Sequence, residues 1–127
     1  MSREERNITA SELEVMRALW AAGEPLTISD IRAALADTGW EASTIKTLVA
    51  RLVKKGELEQ EKREVYYYSP TVSREEYGSG EARRLAEKVY GGGLTTLVAS
   101  FVEDGEFSAS ELDELRAILE QAREGSS

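Results

Sequence analysis

Hydrophobic residues fall along this chain in blocks at helical spacing, interrupted once by a short stretch that alternates. The first block, Leu13, Met16, Leu19 and Trp20, follows Thr9-Ala10-Ser11-Glu12. That tetrad is a capping box, in which the Thr9 hydroxyl accepts the Glu12 amide and the Glu12 carboxylate reaches back. A helix is predicted from there to Gly23, with Trp20 in its core face rather than serving as a ligand platform. Glu24-Pro25-Leu26 reads as a short extended link, because proline biases the residue before it away from helix. A second helix opens at Thr27 with Asp30 in its first turn and turns Ile28, Ile31 and Leu35 inward. It ends at Thr38-Gly39.

The clearest block is Ile45, Leu48, Val49, Leu52 and Val53, one apolar stripe on a third helix. The opposite face carries Thr44, Lys46, Thr47 and Arg51, hydroxyls and long cations of the kind that reach base edges and phosphates. Lys54 and Lys55 close the last turn, where cations suit the negative end of the helix dipole, and Gly56 is a natural stop. Trp40 is expected to pack between the second and third helices rather than touch DNA. Leu58 to Lys62 and Val65 to Ser69 then read as two strands, the second rich in β-formers. Arg63-Glu64 joins them as a hairpin. Alternation puts Tyr67 on one face and Tyr66 and Tyr68 on the other, mostly as packing, with one phenol in reach of a phosphate. Two short helices, a turn, a third helix and a basic-tipped hairpin make a winged helix-turn-helix.

Pro70 ends the second strand and, on this reading, a DNA-binding domain of residues 1–70. Residues 71–127 hold six basic and twelve acidic side chains, a balance of −6 that leaves −2 for the first seventy. Ser73-Arg74-Glu75-Glu76 is a second capping box, opening a helix that carries Leu85, Val89 and Tyr90. Gly78 and Gly80 weaken its early turns by about 1 kcal/mol each relative to alanine. Gly91-Gly92-Gly93 breaks it; no Gly-Lys-Ser/Thr follows and no strand precedes, so this is no phosphate cradle. Leu94, Leu97, Val98, Phe101 and Val102 stripe the next helix. Leu112, Leu115, Ile118 and Leu119 stripe the last, after a cap at Ser108-Ala109-Ser110-Glu111. Three short amphipathic helices bury their stripes poorly alone. The expectation is a homodimer with Leu97, Val98, Phe101, Leu112, Leu115 and Leu119 in the subunit interface. The fold class is therefore mainly α: an α+β winged helix with a small β-hairpin wing, plus a C-terminal three-helix dimerisation domain.

Composition narrows the chemistry. The 127 residues are 41% hydrophobic and 31% charged, a globular balance. No apolar run approaches the ~20 residues of a spanning helix, and residues 1–6 lack the apolar core of a secretion signal. A cytoplasmic protein without membrane insertion is expected. With no Cys and no His there is no disulfide, thiolate nucleophile, imidazole base or zinc or copper site of the usual kind. No Asp-rich calcium loop is present, so neither metal nor cofactor is expected. An enzyme would have to work with acidic residues alone, and no pair of carboxylates has the spacing in an apolar setting. The net charge of −8 argues against nucleic acid until its distribution is seen. Residues 44–63 carry Lys46, Arg51, Lys54, Lys55, Lys62 and Arg63 against Glu57, Glu59 and Glu61, a local +3 that leaves −11 elsewhere. A local patch, rather than the whole-chain average, binds phosphate.

The residues resemble the penicillinase-repressor family, the BlaI/MecI type of winged-helix repressor. The resemblance is carried by Ser11-Glu12-Leu13-Glu14-Val15-Met16 with Trp20, by Trp40 and Thr44-Ile45-Lys46-Thr47-Leu48, and by Arg51-Leu52-Val53-Lys54-Lys55-Gly56. Tyr66-Tyr67-Tyr68-Ser69-Pro70, Val89-Tyr90-Gly91-Gly92, and Leu97-Val98 with Phe101-Val102-Glu103 extend it over roughly residues 8–120. It implies a homodimeric repressor on a two-fold double-stranded DNA operator. Thr44, Lys46, Thr47 and Arg51 would contact bases or backbone, and Lys54, Lys55, Lys62 and Arg63 phosphates. Where the family commonly has Pro-Lys before the third helix, Ala42-Ser43 stands here, one cation fewer. The copper-responsive branch has a C-terminal cysteine motif that is missing. Members inactivated by a membrane sensor protease are cut at an Asn-Phe bond, and the matching bond here is Ser100–Phe101. The rival reading is a winged-helix protein-interaction module that binds no DNA, docking through its acidic C-terminal half.

Overall fold

The computed structural model describes residues 7–126; the charged run 1–6, read above for a secretion signal, and residue 127 lie outside the described residues. Helices α1 (Ala10–Ala22) and α2 (Ile28–Ala34), a 3-10 turn (Ala36–Thr38) and α3 (Ala42–Lys54) precede strands β1 (Leu58–Lys62) and β2 (Tyr66–Pro70). Three further helices follow: α4 (Arg74–Val89), α5 (Leu94–Glu103) and α6 (Ala109–Ser126). This is the expected winged-helix class with one two-stranded antiparallel sheet. The chain forms two compact units that divide inside α4, between Glu81 and Ala82.

In the first unit the local signals act as expected. Thr9 and Glu12 close a reciprocal capping box on α1, and Thr27 and Asp30 close another on α2. Gly23 ends α1 in the left-handed region, φ 70°, a conformation that costs glycine nothing. Val15, Met16, Leu19, Ile31, Ile45, Leu48, Val49 and Leu52 form the centre of the core, joined by Leu26, Leu35, Leu58 and Val72. Burying one such side chain contributes about 1.5–3 kcal/mol. The inward face of α1 differs from the expected stripe. Val15 and the carboxylate Glu12 are fully buried, whereas Leu13 and Trp20 are half-buried. Trp20 packs at the core's edge, its indole Nε1 donating to the Val72 carbonyl at 2.9 Å and its ring 5.8 Å from that of Tyr77. The first turn of α4 thus packs with the winged helix, and the unit runs past Pro70. Trp40 also packs against the core.

The hairpin pairs Leu58 with Pro70, Gln60 with Tyr68 and Lys62 with Tyr66. The second strand begins one residue later than expected, since Arg63 N donates to Val65 O at 3.0 Å and Val65 joins the turn. Pro70 is the strand's last residue. Leu26 adds a β-bridge to Tyr68, each amide donating to the other's carbonyl at 3.0 and 2.8 Å. The link around Pro25 therefore anchors the wing to the helices.

In the second unit, Gly91 turns the chain after α4 with φ 64°, and Gly92 N donates to Ala86 O at 3.2 Å. A Cβ on Gly92 would sit 2.6 Å from the Thr96 hydroxyl. The glycine run is a tight helix junction. Ser108 and Glu111 cap α6 reciprocally, at 2.9 and 3.1 Å. The bonds from Ser108 hold the Glu111 carboxyl below its ordinary value. Only Ala86 and Leu97 are buried among the described residues of this unit. No helix among the described residues is long and apolar enough to cross a membrane.

Candidate nucleic-acid interface

Helix α3 exposes one face and buries the other. At 100° per residue, Ser43, Thr47, Ala50 and Lys54 run along the middle of the exposed face, with Thr44 and Arg51 on one flank and Lys46 on the other; all are exposed. Small side chains along that line let the helix axis come close to a groove floor. Ser43 and Ala50 carry no charge and no long donor, so only their place on the exposed face of α3 marks them. The Thr47 hydroxyl donates to the Ser43 carbonyl at 2.9 Å, leaving its lone pairs for a base or phosphate-bound donor. The first turn of α3 holds no carboxylate, although Glu41 precedes it at the N-cap position.

The wing sorts its charge by pleat. Successive side chains on a strand point to opposite faces. Leu58, Gln60, Lys62, Tyr66 and Tyr68 therefore share one face, while Glu59, Glu61, Tyr67 and Ser69 share the other. The first face looks toward α3: Gln60 and Tyr68 line a cleft of about 470 Å³ with Ile28, Lys46, Ala50, Val53 and Lys54. Burial, with a smaller contribution from Tyr66, pushes the Tyr68 phenol above its ordinary value, so it stays a neutral donor. No strand residue on the α3-facing side is a carboxylate. Gln60 and Tyr68 could not be paired with Lys46 and Lys54 from spacing, since the cleft exists only once the hairpin folds back.

The eight cationic and hydroxylic candidates divide accordingly. Thr44, Lys46, Thr47, Arg51 and Lys54 lie on the exposed surface of α3, and Lys62 joins them from the wing, its ammonium 5.8 Å from the Tyr66 ring centroid. Arg63 is on the wing's outer side. Its Nε bonds Glu61 Oε1 at 3.3 Å and its guanidinium lies 4.5 Å over the Tyr67 ring. Lys55 turns the other way, donating to Glu12 Oε1 at 2.6 Å and to the Asn7 carbonyl at 2.7 Å.

The sequence and the fold have known counterparts. The model of the family described as penicillinase repressor matches residues 8–121. The chain belongs to the penicillinase repressor family. It is 32% identical over 115 residues to the penicillinase repressor of Bacillus licheniformis, covering 90% of each chain. It is 32% identical over 120 residues to the methicillin resistance regulatory protein MecI of Staphylococcus aureus strain N315, covering 94% of this chain and 98% of that protein. Among solved structures it is similar to the monomeric form of Bacillus licheniformis BlaI in complex with the blaP half-operator. That likeness has a TM-score of 0.50 at 32% identity, over 57% of this chain and 89% of the other. The protein is a DNA-binding transcriptional repressor of this family.

The remaining candidates lie in the second unit. Val98, Phe101, Leu112 and Leu119 are exposed, Leu115 is half-buried, and Leu97 is already covered within its own chain. Ser100–Phe101 lies inside α5, where Ser100 Oγ donates to Thr96 O at 3.1 Å and the Phe101 ring is 6.3 Å from that of Tyr90.

Proposed function

We propose that this repressor acts as a cytoplasmic homodimer on a two-fold operator, without catalysis, its residues 1–70 reading DNA and its residues 71–127 joining the subunits. Helix α3 enters the major groove, with Ser43, Thr44, Lys46, Thr47 and Arg51 at or near base edges. Lys54, Lys62, Gln60 and Tyr68 hold the adjacent phosphates. Arg63 reaches a phosphate by leaving Glu61. The observation that carries this reading is the shared surface of α3 and the wing's carboxylate-free face, in a chain whose net charge is −8. Two such heads contact half-sites about one helical turn, roughly 34–36 Å, apart.

Dimerisation is supported by the apolar side chains that α5 and α6 leave uncovered, Val98, Phe101, Leu112 and Leu119 among them. Release from the operator by a membrane sensor protease would require α5 to unwind locally around Ser100–Phe101, because a scissile bond must leave the helical hydrogen-bond ladder. Cutting there would separate α6 from both heads and remove the avidity of the pair.

The test is anisotropy titration of the full chain against duplexes selected from a random pool, at several salt concentrations. Log affinity should fall linearly with log salt, with a slope near −0.9 per phosphate contact. Lys54→Gln should weaken binding to all sequences and flatten the slope by about one contact. Arg51→Ala should change sequence preference, by about 1–3 kcal/mol if its contact is bidentate. Affinity indifferent to salt, or no selected sequence at all, would favour the protein-interaction module instead.

A further inference from the structure

Helices α1, α2 and α6 open with the same reciprocal capping box, and in α2 and α6 the acidic partner, Asp30 or Glu111, is exposed. Glu12 is the exception, with no exposed surface. Its Oε1 accepts from the Thr9 amide at 2.9 Å and from the Lys55 ammonium at 2.6 Å. Its Oε2 is buried and meets no hydrogen-bond donor among the described residues. Lys55 is the C-cap of α3 and also donates to the Asn7 carbonyl, so its ammonium ties the end of α3 to the start of α1. Burial alone would push the Glu12 carboxyl up. The Lys55 bond and the bonds from Thr9 outweigh it and hold the group charged below its ordinary value.

A buried charge satisfied on one oxygen is an expensive way to cap a helix, and Thr9 would cap α1 equally well with the carboxylate in solvent. The expense goes into direction. Met16 of α1 and Leu48 and Leu52 of α3 belong to one buried apolar core, and the hydrophobic effect that buries them is itself non-directional. A short charge-assisted bond constrains the rotation of one helix against another strongly. Direct readout needs donors held to within about half an ångström.

We infer that Glu12 and Lys55 are positioning residues for DNA recognition: the pair locks the axial rotation of α3, and so aims Thr44, Lys46, Thr47 and Arg51, without touching DNA. This rests on α3 being the reading helix. It removes Lys55 from the set of phosphate ligands and adds a residue, Glu12, that no patch of cations would suggest.

Glu12→Gln in the full-length protein gives the test a sign. The variant keeps the side-chain shape and an acceptor for Thr9, and it removes a negative charge from a DNA-binding head. Electrostatics alone predict tighter binding. The positioning role predicts about tenfold weaker binding to a duplex selected by the native protein. Binding to a scrambled duplex of equal length should not weaken, and the salt slope should not change. Lys55→Met should lose the same selectivity at unchanged slope, Lys55→Arg should retain it, and Lys54→Gln should flatten the slope by about 0.9. Each titration is run where circular dichroism shows the variant folded, and Glu12→Gln decides alone if Lys55→Met does not fold. Undiminished selectivity in Glu12→Gln, or a slope lowered by Lys55→Met as much as by Lys54→Gln, would overturn the inference while leaving the reading helix standing. If Lys46→Gln, Arg51→Ala and Lys54→Gln change neither selectivity nor slope, α3 is not the reading helix and the pair has nothing to aim.

Discussion

Up to Glu81 the chain buries Val15, Met16, Leu19, Ile31, Ile45 and Leu52 almost completely. Past Ala82 only Ala86 and Leu97 are buried among the described residues, while Val89, Ile118 and Leu119 stand 63%, 61% and 60% exposed. Of the exposed large apolar side chains among the described residues, only Val65 and Tyr66 precede that point. Yet the helices of the second unit are no worse specified locally: α6 has a complete capping box and runs from Ala109 to Ser126. Local signals therefore suffice to define a helix, and they say little about whether its apolar face has a partner within the same chain. In the first unit three helices and a hairpin close on one another; in the second most stripe residues, Leu97 and Leu115 excepted, stay exposed, and that surface is what the proposed second copy would cover.

The comparison is tested most severely by Leu115→Asp. Placing a carboxylate in the apolar face of α6 should dissociate the proposed dimer, read by sedimentation, and lower operator affinity by about a hundredfold or more as the two heads become independent. Full-length native protein that sediments as a monomer at operator-binding concentrations would remove the contrast altogether. Next come paired alanine substitutions. Leu52→Ala should cost about 2–5 kcal/mol at every protein concentration, because its cavity lies inside one unit. Leu119→Ala should lower the melting temperature only where the protein is dimeric, so its effect should depend on concentration.

A smaller effect locates the end of the self-sufficient unit. A chain ending at Pro70 lacks Val72, which is 2% exposed, and the Trp20–Val72 hydrogen bond. It should be less stable than one ending at Glu81 by about 1.5–3 kcal/mol, with both monomeric in urea unfolding experiments. Acid supplies the finest discrimination. Glu12 has its folded value lowered, so its contribution is fully present above the ordinary carboxylate value and is lost as pH falls through the lower folded one. Melting temperatures below about pH 4.5 should drop less steeply in Glu12→Gln than in the native protein. An identical pH profile would mean that the buried carboxylate is not linked to the stability of the first unit.

The expected elements were legible where their causes are local. The helix caps at Thr9, Thr27 and Ser108 and the stripe of α3 depend on residues within a few positions of one another, and all appear as expected, with Asp30 reaching back to complete a box at Thr27 as well. The hairpin start was displaced to Tyr66 because the turn's geometry follows one backbone bond, Arg63 to Val65, that no residue type announces. The anchoring of the wing through Leu26 and Tyr68 joins residues far apart in the chain, and nothing around Pro25 marks it as a strand partner.

The same division holds for the functional surface. Which residues α3 exposes was set by the sequence itself, because a 3.6-residue repeat with apolar side chains on one side leaves Thr44, Lys46, Thr47 and Arg51 on the other. Which cations stay free of partners within the fold was decided by tertiary structure. Lys54 and Lys55 are neighbours with the same chemistry, and the 100° between them sends Lys54 to the middle of the exposed face of α3 and Lys55 to a buried carboxylate on α1. Charge is written residue by residue, whereas its availability depends on what the fold brings within hydrogen-bonding distance, and for Lys55 that partner lies 43 positions away.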